Sequence, residues 1–110
     1  MDDFSEMSGA ALVVGGSGGI GRAVVRLLAQ RGSEVALTWR TNEEAAARLA
    51  EEVASYGVRV STHQLDATDA LACEEVVDAV VARHGGLHTL VSAAGPEVAM
   101  THLSNVEPGA

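Results

Sequence analysis

The stretch Ala10-Ala11-Leu12-Val13-Val14-Gly15-Gly16-Ser17-Gly18-Gly19-Ile20-Gly21 decides how this chain is read. Its five apolar residues end abruptly in glycines, as a buried strand does where it leaves a sheet. Helical spacing then begins. Ile20, Val24, Leu27 and Leu28 recur along residues 19–31, and Gly32 stands where a C-terminal cap is expected. A glycine-rich turn between a strand and a helix lets the backbone bend tightly and approach a phosphate with no Cβ in the way. The helix start adds unpaired N–H groups and a partial positive charge. Two glycine registers overlap here. Gly16, Gly18 and Gly21 fit G-x-G-x-x-G, while Gly15, Gly19 and Gly21 fit G-x-x-x-G-x-G. Both describe a turn that holds the pyrophosphate of a dinucleotide. They share Gly21, where a side chain would push the helix off the strand.

Working outward, apolar runs keep alternating with amphipathic stretches. Glu34–Trp39 reads as a second strand. Thr41 and Glu44 form a Thr-x-x-Glu capping box for a helix with Ala46, Leu49, Val53 and Tyr56 on one face, ended by Gly57. Residues 58–65 read as a third strand. Asp66-Ala67-Thr68-Asp69 breaks it and supplies caps for a helix that runs to about His84 and buries Val76, Val77 and Val80. Gly85-Gly86 turns the chain into a fourth strand, Leu87–Ser92. The order β-α-β-α-β-α-β implies a parallel sheet with crossover helices. Right-handed crossovers give the strand order 3-2-1-4, an incomplete doubly wound α/β fold of Rossmann type. Its ligand crevice lies at the carboxyl ends of strands one and four.

The end of the second strand discriminates between dinucleotides. An acidic residue there accepts hydrogen bonds from the adenosine ribose in the usual NAD site. This strand ends Thr38-Trp39-Arg40, and Glu34 sits at its other end. The fork of Arg40 suits a 2′-phosphate, so NADP is the expected cofactor and NAD the less favoured one.

Composition narrows the partners. Fifteen acids against seven bases give a net charge of −8, which argues against a phosphate-neutralising nucleic-acid binder. All seven bases are arginines, so no residue of this sequence can act as a lysine. No apolar run approaches the ~20 residues that span a bilayer, and the opening Met1-Asp2-Asp3-Phe4-Ser5-Glu6 is acidic where a signal peptide is basic. With one cysteine, Cys73, a reduced cytoplasmic setting is expected. The four histidines lack ligand spacing, because Gly85-Gly86 separates His84 from His88; no metal site is expected. His84 fits the end of its helix through the helix dipole, and Cys73 reads as a packing residue.

Taken together, these elements resemble the N-terminal half of the short-chain dehydrogenase/reductase family. The segment Val14-Gly15-Gly16-Ser17-Gly18-Gly19-Ile20-Gly21 corresponds to its T-G-x-x-x-G-I-G motif, and Leu90-Val91-Ser92-Ala93-Ala94-Gly95 to L-V-N-N-A-G. The second strand and the helix start after it, Val35 to Glu44, look like the 3-oxoacyl-carrier-protein-reductase branch. The resemblance implies hydride transfer between NADPH and a carbonyl or alcohol substrate. It implies that Gly15, Ser17, Gly19, Ile20 and Gly21 hold the pyrophosphate, that Asp66 contacts the adenine, and that Ala94 and Gly95 line the ribose and nicotinamide side. It also implies a homo-oligomer for the complete enzyme.

Two departures stand out. Val14 replaces a threonine and Ser92-Ala93 two asparagines, so an altered brace between strands one and four is expected. The family's catalytic Asn, Ser and Tyr-x-x-x-Lys find no counterpart: there is no lysine, Tyr56 lies in the second helix, and Asn105 comes too early. No catalytic residue is assigned, and the chain alone is expected to be inactive. The organisation expected is a lead at 1–9, a dinucleotide-binding half-domain at 10–96 and a loop-like tail at 97–110. One sheet face has a single helix and strand four is an open edge, so a fragment, or half of an assembly, is expected.

Overall fold

The computed structural model describes residues 7–93. Strand β1 (Ala10–Val14) is buried at every position, so its apolar run is continuous rather than alternating. It pairs in parallel with β2 (Glu34–Trp39) on one side and β4 (Leu87–Ser92) on the other, and β2 pairs with β3 (Val60–Gln64). The sheet order is β3-β2-β1-β4, as the crossover rule requires.

Helices α1 (Gly19–Gln30) and α2 (Glu43–Ala54) pack on one face over Ala11, Val13, Val35 and Leu37. Helix α3 (Ala70–His84) covers the other face, over Ala10, Leu12, Val14 and Ala36. Leu12 and Leu37 are almost fully buried on opposite faces. Each contributes about 1.5–3 kcal/mol through burial. The residues of β4 are only half-buried, apart from the exposed Ser92 at its end.

Local chemistry sets the boundaries. Helix α1 ends in a Schellman arrangement: Gly32 has φ +91°, its N–H donates to the Ala29 carbonyl, and the Ser33 N–H reaches back to Leu28. The cap of α2 is Asn42 rather than Thr41; its side chain accepts the Ala45 N–H at 3.0 Å. The third helical position is then Ala45, which has no polar side chain to return a bond, so the cap is a single hydrogen bond and not the expected capping box. Asp69 caps α3 in the same manner through the Ala72 N–H at 3.1 Å.

The apolar stripe of α1 is also rotated from expectation. Gly21, Val25, Leu28 and Ala29 are buried, whereas Ile20 is 76% and Leu27 50% exposed. The small Gly21 allows close approach to the strand, and this turns the helix about its axis. Tyr56 lies past the end of α2, exposed, with its hydroxyl donating to Glu52 Oε2 at 3.1 Å. Glu52 also receives both Nε and Nη2 of Arg26, at 2.7 and 2.9 Å, clasping α1 to α2. The Arg26 hydrogen bond holds the Glu52 carboxyl below its ordinary range.

At the amino-terminal edge of the sheet, polar side chains form a bridge that sequence patterning does not reveal. His84 Nδ1 lies 2.7 Å from Glu34 Oε1, and its Nε2 lies 2.8 Å from Ser61 Oγ. Ser61 Oγ is also 2.8 Å from His63 Nε2. His84 is thus a buried tie between β2, β3 and α3, a fuller role than the dipole alone suggests. Burial lowers the pKa of His63, and burial also lowers that of His88. A histidine whose folded pKa lies below its unfolded value contributes stability that is present above about pH 6.5 and lost as pH falls through the folded value. Stability is therefore expected to fall between pH 7 and pH 5, and to fall less in His63→Asn. Urea unfolding of both proteins across that range measures this; identical pH slopes would refute it.

Candidate functional site

The glycine turn sits between the carboxyl end of β1 and the start of α1. Gly15 leaves the strand with φ +81°, a left-handed conformation that suits a residue without Cβ. Its carbonyl accepts the Gly18 N–H at 3.1 Å, closing the turn. Its own N–H donates to Thr38 Oγ1, on the neighbouring strand, at 2.8 Å. The first N–H engaged by helix α1 is that of Arg22, on the Gly18 carbonyl at 2.8 Å. The three preceding N–H groups, of Gly19, Ile20 and Gly21, have no intrahelical acceptor by geometry. They form the positive end of the helix dipole.

The glycines of the turn divide into two kinds. A Cβ on Gly21 would collide with the Gly15 carbonyl and stand 2.7 Å from Gly16 Cα. A Cβ on Gly16 would stand 2.8 Å from Leu37 Cβ. Both glycines are buried, and the fold itself demands them. Among the described residues, a Cβ on Gly19, by contrast, meets no atom within 4 Å, and one on Gly18 comes no nearer than 3.6 Å. Both residues are exposed, and neither has a left-handed backbone. Packing among the described residues leaves these two positions free of constraint. What remains is an exposed strip of backbone at a helix N-terminus, with Ser17 at its margin and the exposed Ile20 beside it.

The second cluster lies at the carboxyl ends of β2 and β3. Arg40 follows the last residue of β2 and is exposed. The Leu65 N–H donates to the Trp39 carbonyl at 2.9 Å, so Asp66 is carried alongside Arg40. Asp66 accepts the hydroxyl and the N–H of Thr68 at 2.7 and 3.0 Å. The Thr68 hydroxyl above all, then its N–H, hold the Asp66 carboxyl below its ordinary range, and the charge of Arg40 adds to this. The sequence-predicted residues Gly15, Ser17, Gly19, Ile20, Gly21, Arg40 and Asp66 thus all lie along the carboxyl edge of one sheet. Ala94 and Gly95 lie outside the described residues. Tyr56 lies with the amino-terminal edge, since α2 runs back there before β3 begins.

A profile of the short chain dehydrogenase family matches residues 9–108. The chain belongs to the short-chain dehydrogenase family. Curated relatives include a 3-oxoacyl-[acyl-carrier-protein] reductase of Staphylococcus aureus, 36% identical over 90 residues, covering 82% of this chain and 37% of the relative. An uncharacterised oxidoreductase of Escherichia coli is 38% identical over 93 residues, covering 81% and 35%. Among solved structures, the NADPH-dependent 3-quinuclidinone reductase of Rhodotorula rubra superposes with TM-score 0.73 at 31% identity, covering 81% of this chain and 34% of that one. Acetoin dehydrogenase of Enterobacter cloacae gives 0.73 at 30%, covering 81% and 36%. The chain spans about a third of the length of the curated relatives it matches.

Membership of this family accounts for the strand order and for the glycine turn. At the join of β1 to the end of β4, the Ala93 N–H donates to the Val14 carbonyl at 2.8 Å. The Thr38 hydroxyl holds the turn from the opposite side, through β2. Motif and periodicity do not mark Thr38. Its one sequence signal is a hydroxyl near the end of an otherwise apolar strand. No helix among the described residues is long and apolar enough to cross a membrane, and no group of three metal-ligating side chains occurs among them.

Proposed function

We propose that this chain is the cofactor-binding part of an NADP-dependent short-chain oxidoreductase, which moves a hydride between NADPH and a carbonyl or alcohol substrate. The observation that carries the reading is the bare backbone strip at Gly18 and Gly19, where no atom of the described residues crowds the space a Cβ would take. A diphosphate fits that strip. It would accept from the Gly19, Ile20 and Gly21 N–H groups and lie at the positive end of α1. Ser17 would add a hydroxyl, and Ile20 an apolar cover toward the nicotinamide side. Arg40 would pair with the 2′-phosphate, and Asp66, fixed by Thr68, would meet the adenine edge. Ala94 and Gly95 are assigned to the ribose and nicotinamide side by family correspondence.

The bound nicotinamide would supply the hydride; this chain's residues would bind and orient it. The sequence holds no lysine, and its single tyrosine, Tyr56, stands with the edge opposite the glycine turn. Proton transfer to a substrate oxygen is accordingly assigned to no residue of this sequence. The alternative reading of the sequence is a non-catalytic dinucleotide-binding module or structural subunit.

Fluorescence titration with NADPH and NADH tests the cofactor assignment. Tighter binding of NADPH by about tenfold is expected, from one exposed charge-assisted pair with the 2′-phosphate. Arg40→Asp should abolish that preference or reverse it, since it replaces an attraction with a repulsion. Equal affinity for both nucleotides, unchanged by Arg40→Asp, would overturn the role given to Arg40.

A further inference from the structure

We propose that Thr38 is a positioning residue for the diphosphate turn, acting through the Gly15 N–H. The inference rests on the dinucleotide reading above and extends it to a residue outside the glycine motif.

Gly15 is the residue at which β1 becomes the turn, and both of its backbone polar groups are engaged. Its N–H donates to Thr38 Oγ1 at 2.8 Å and its carbonyl accepts the Gly18 N–H at 3.1 Å. That carbonyl is also the surface against which Gly21 of α1 rests. The placement of one carbonyl therefore fixes both the bend at Gly18 and the seat of the helix whose N–H groups face the ligand strip. Thr38 is 2% exposed and sits on β2, a strand buried on both faces, so its hydroxyl is a rigid anchor. The Gly15 N–H is consequently turned into the protein and is not among the groups offered to a phosphate. Without the hydroxyl oxygen, that N–H has no acceptor at this position. Leaving a buried donor unsatisfied is costly, so a backbone shift that finds it another acceptor is favoured. That N–H lies in the Val14–Gly15 peptide, so turning it changes φ at Gly15, and the Gly15 carbonyl on the next peptide, with the phosphate-facing strip behind it, would move out of register.

Thr38→Val keeps the shape and removes the acceptor; Thr38→Ser keeps the acceptor and removes a methyl. Fluorescence titrations of the 110-residue chain with NADPH and with NADH, together with amide hydrogen exchange at Gly15, make the test. Thr38→Val is expected to weaken both nucleotides about tenfold, by the same factor, because the diphosphate is common to them. Thr38→Ser is expected to bind within about twofold of the parent, and the Gly15 amide to be protected in parent and Ser variant but not in Val. Parent-like binding by Thr38→Val, or a loss that Thr38→Ser does not repair, would overturn the proposal. If Thr38→Val fails to fold, the parent and Thr38→Ser still decide: an unprotected Gly15 amide in both overturns it, and protection in both with parent-like binding by Ser supports it. A parent chain that binds neither nucleotide overturns the dinucleotide reading, and this proposal with it. A parent that binds, beside a Val variant that binds equally well, overturns the proposal alone.

Discussion

Gly21→Ala is expected to lower the melting temperature by more than about 10 °C and to abolish dinucleotide binding. The added Cβ would overlap the Gly15 carbonyl and press on Gly16 Cα. Both are backbone, so no side-chain rotamer can move aside. Overpacking of a fitted interior costs about 1–3 kcal/mol, and contact with backbone belongs at the upper end. For a domain of this size each kcal/mol shifts the midpoint by about 4–8 °C. The helix can relieve the contact only by rising from β1, which also displaces its N–H groups. Thermal unfolding followed by circular dichroism measures the effect. A variant that melts with the parent would show that α1 does not sit on Gly15 as described.

Gly19→Glu is expected to do the opposite: to leave stability unchanged or slightly raised, and to weaken NADPH at least about 100-fold. Among the described residues, no atom lies within 4 Å of the position its Cβ would take, and the backbone there needs no left-handed residue. A carboxylate in the first turn of a helix gains about 0.3–1 kcal/mol from the helix dipole. The same carboxylate would occupy the strip proposed for the diphosphate and repel it by about 3–4 kcal/mol at 4–5 Å in a surface dielectric of about 20. Nucleotide titration alongside thermal melting gives both numbers. Parent-like affinity would place the diphosphate elsewhere. The contrast between the two glycines separates a residue the fold requires from one that the ligand is proposed to require.

Much of the fold is legible in the sequence because the signals are local. The strands Ala10–Val14, Glu34–Trp39 and Leu87–Ser92 are bounded by glycines or by strong caps, and their limits match expectation. The strand order follows from handedness. Patterning extends the third strand over residues 58–65, but it spans Val60–Gln64, because its polar residues give little period. Spacing assigns the α1 face to Ile20 and Leu27, whereas a glycine, Gly21, defines the buried side. Apolar periodicity does not register a residue that packs through having no side chain.

The site is legible in the same uneven way. The glycine turn, Arg40 and Asp66 lie at strand ends, where sequence order alone places them on one edge. Thr38 Oγ1 and Gly15 are 23 residues apart, and Ser61 Oγ and His84 Nε2 likewise 23 apart. Such pairs depend on strand register and side-chain direction across neighbouring elements, which a one-dimensional pattern does not encode. The exposed Ile20 carries core-like spacing for the same reason, since spacing alone cannot separate a buried stripe from an apolar ligand surface.

The parent chain and its Gly19→Glu variant, followed by amide-resolved NMR during addition of NADPH, give the most direct test of where the dinucleotide sits. In the parent, the amide signals of Ser17, Gly19, Ile20 and Gly21 should shift most, with that of Gly15 moving little because Thr38 holds it; in the variant these shifts should vanish. Shifts concentrated at another part of the sheet, with residues 17–21 unmoved in the parent, would contradict the placement of the diphosphate at the start of α1.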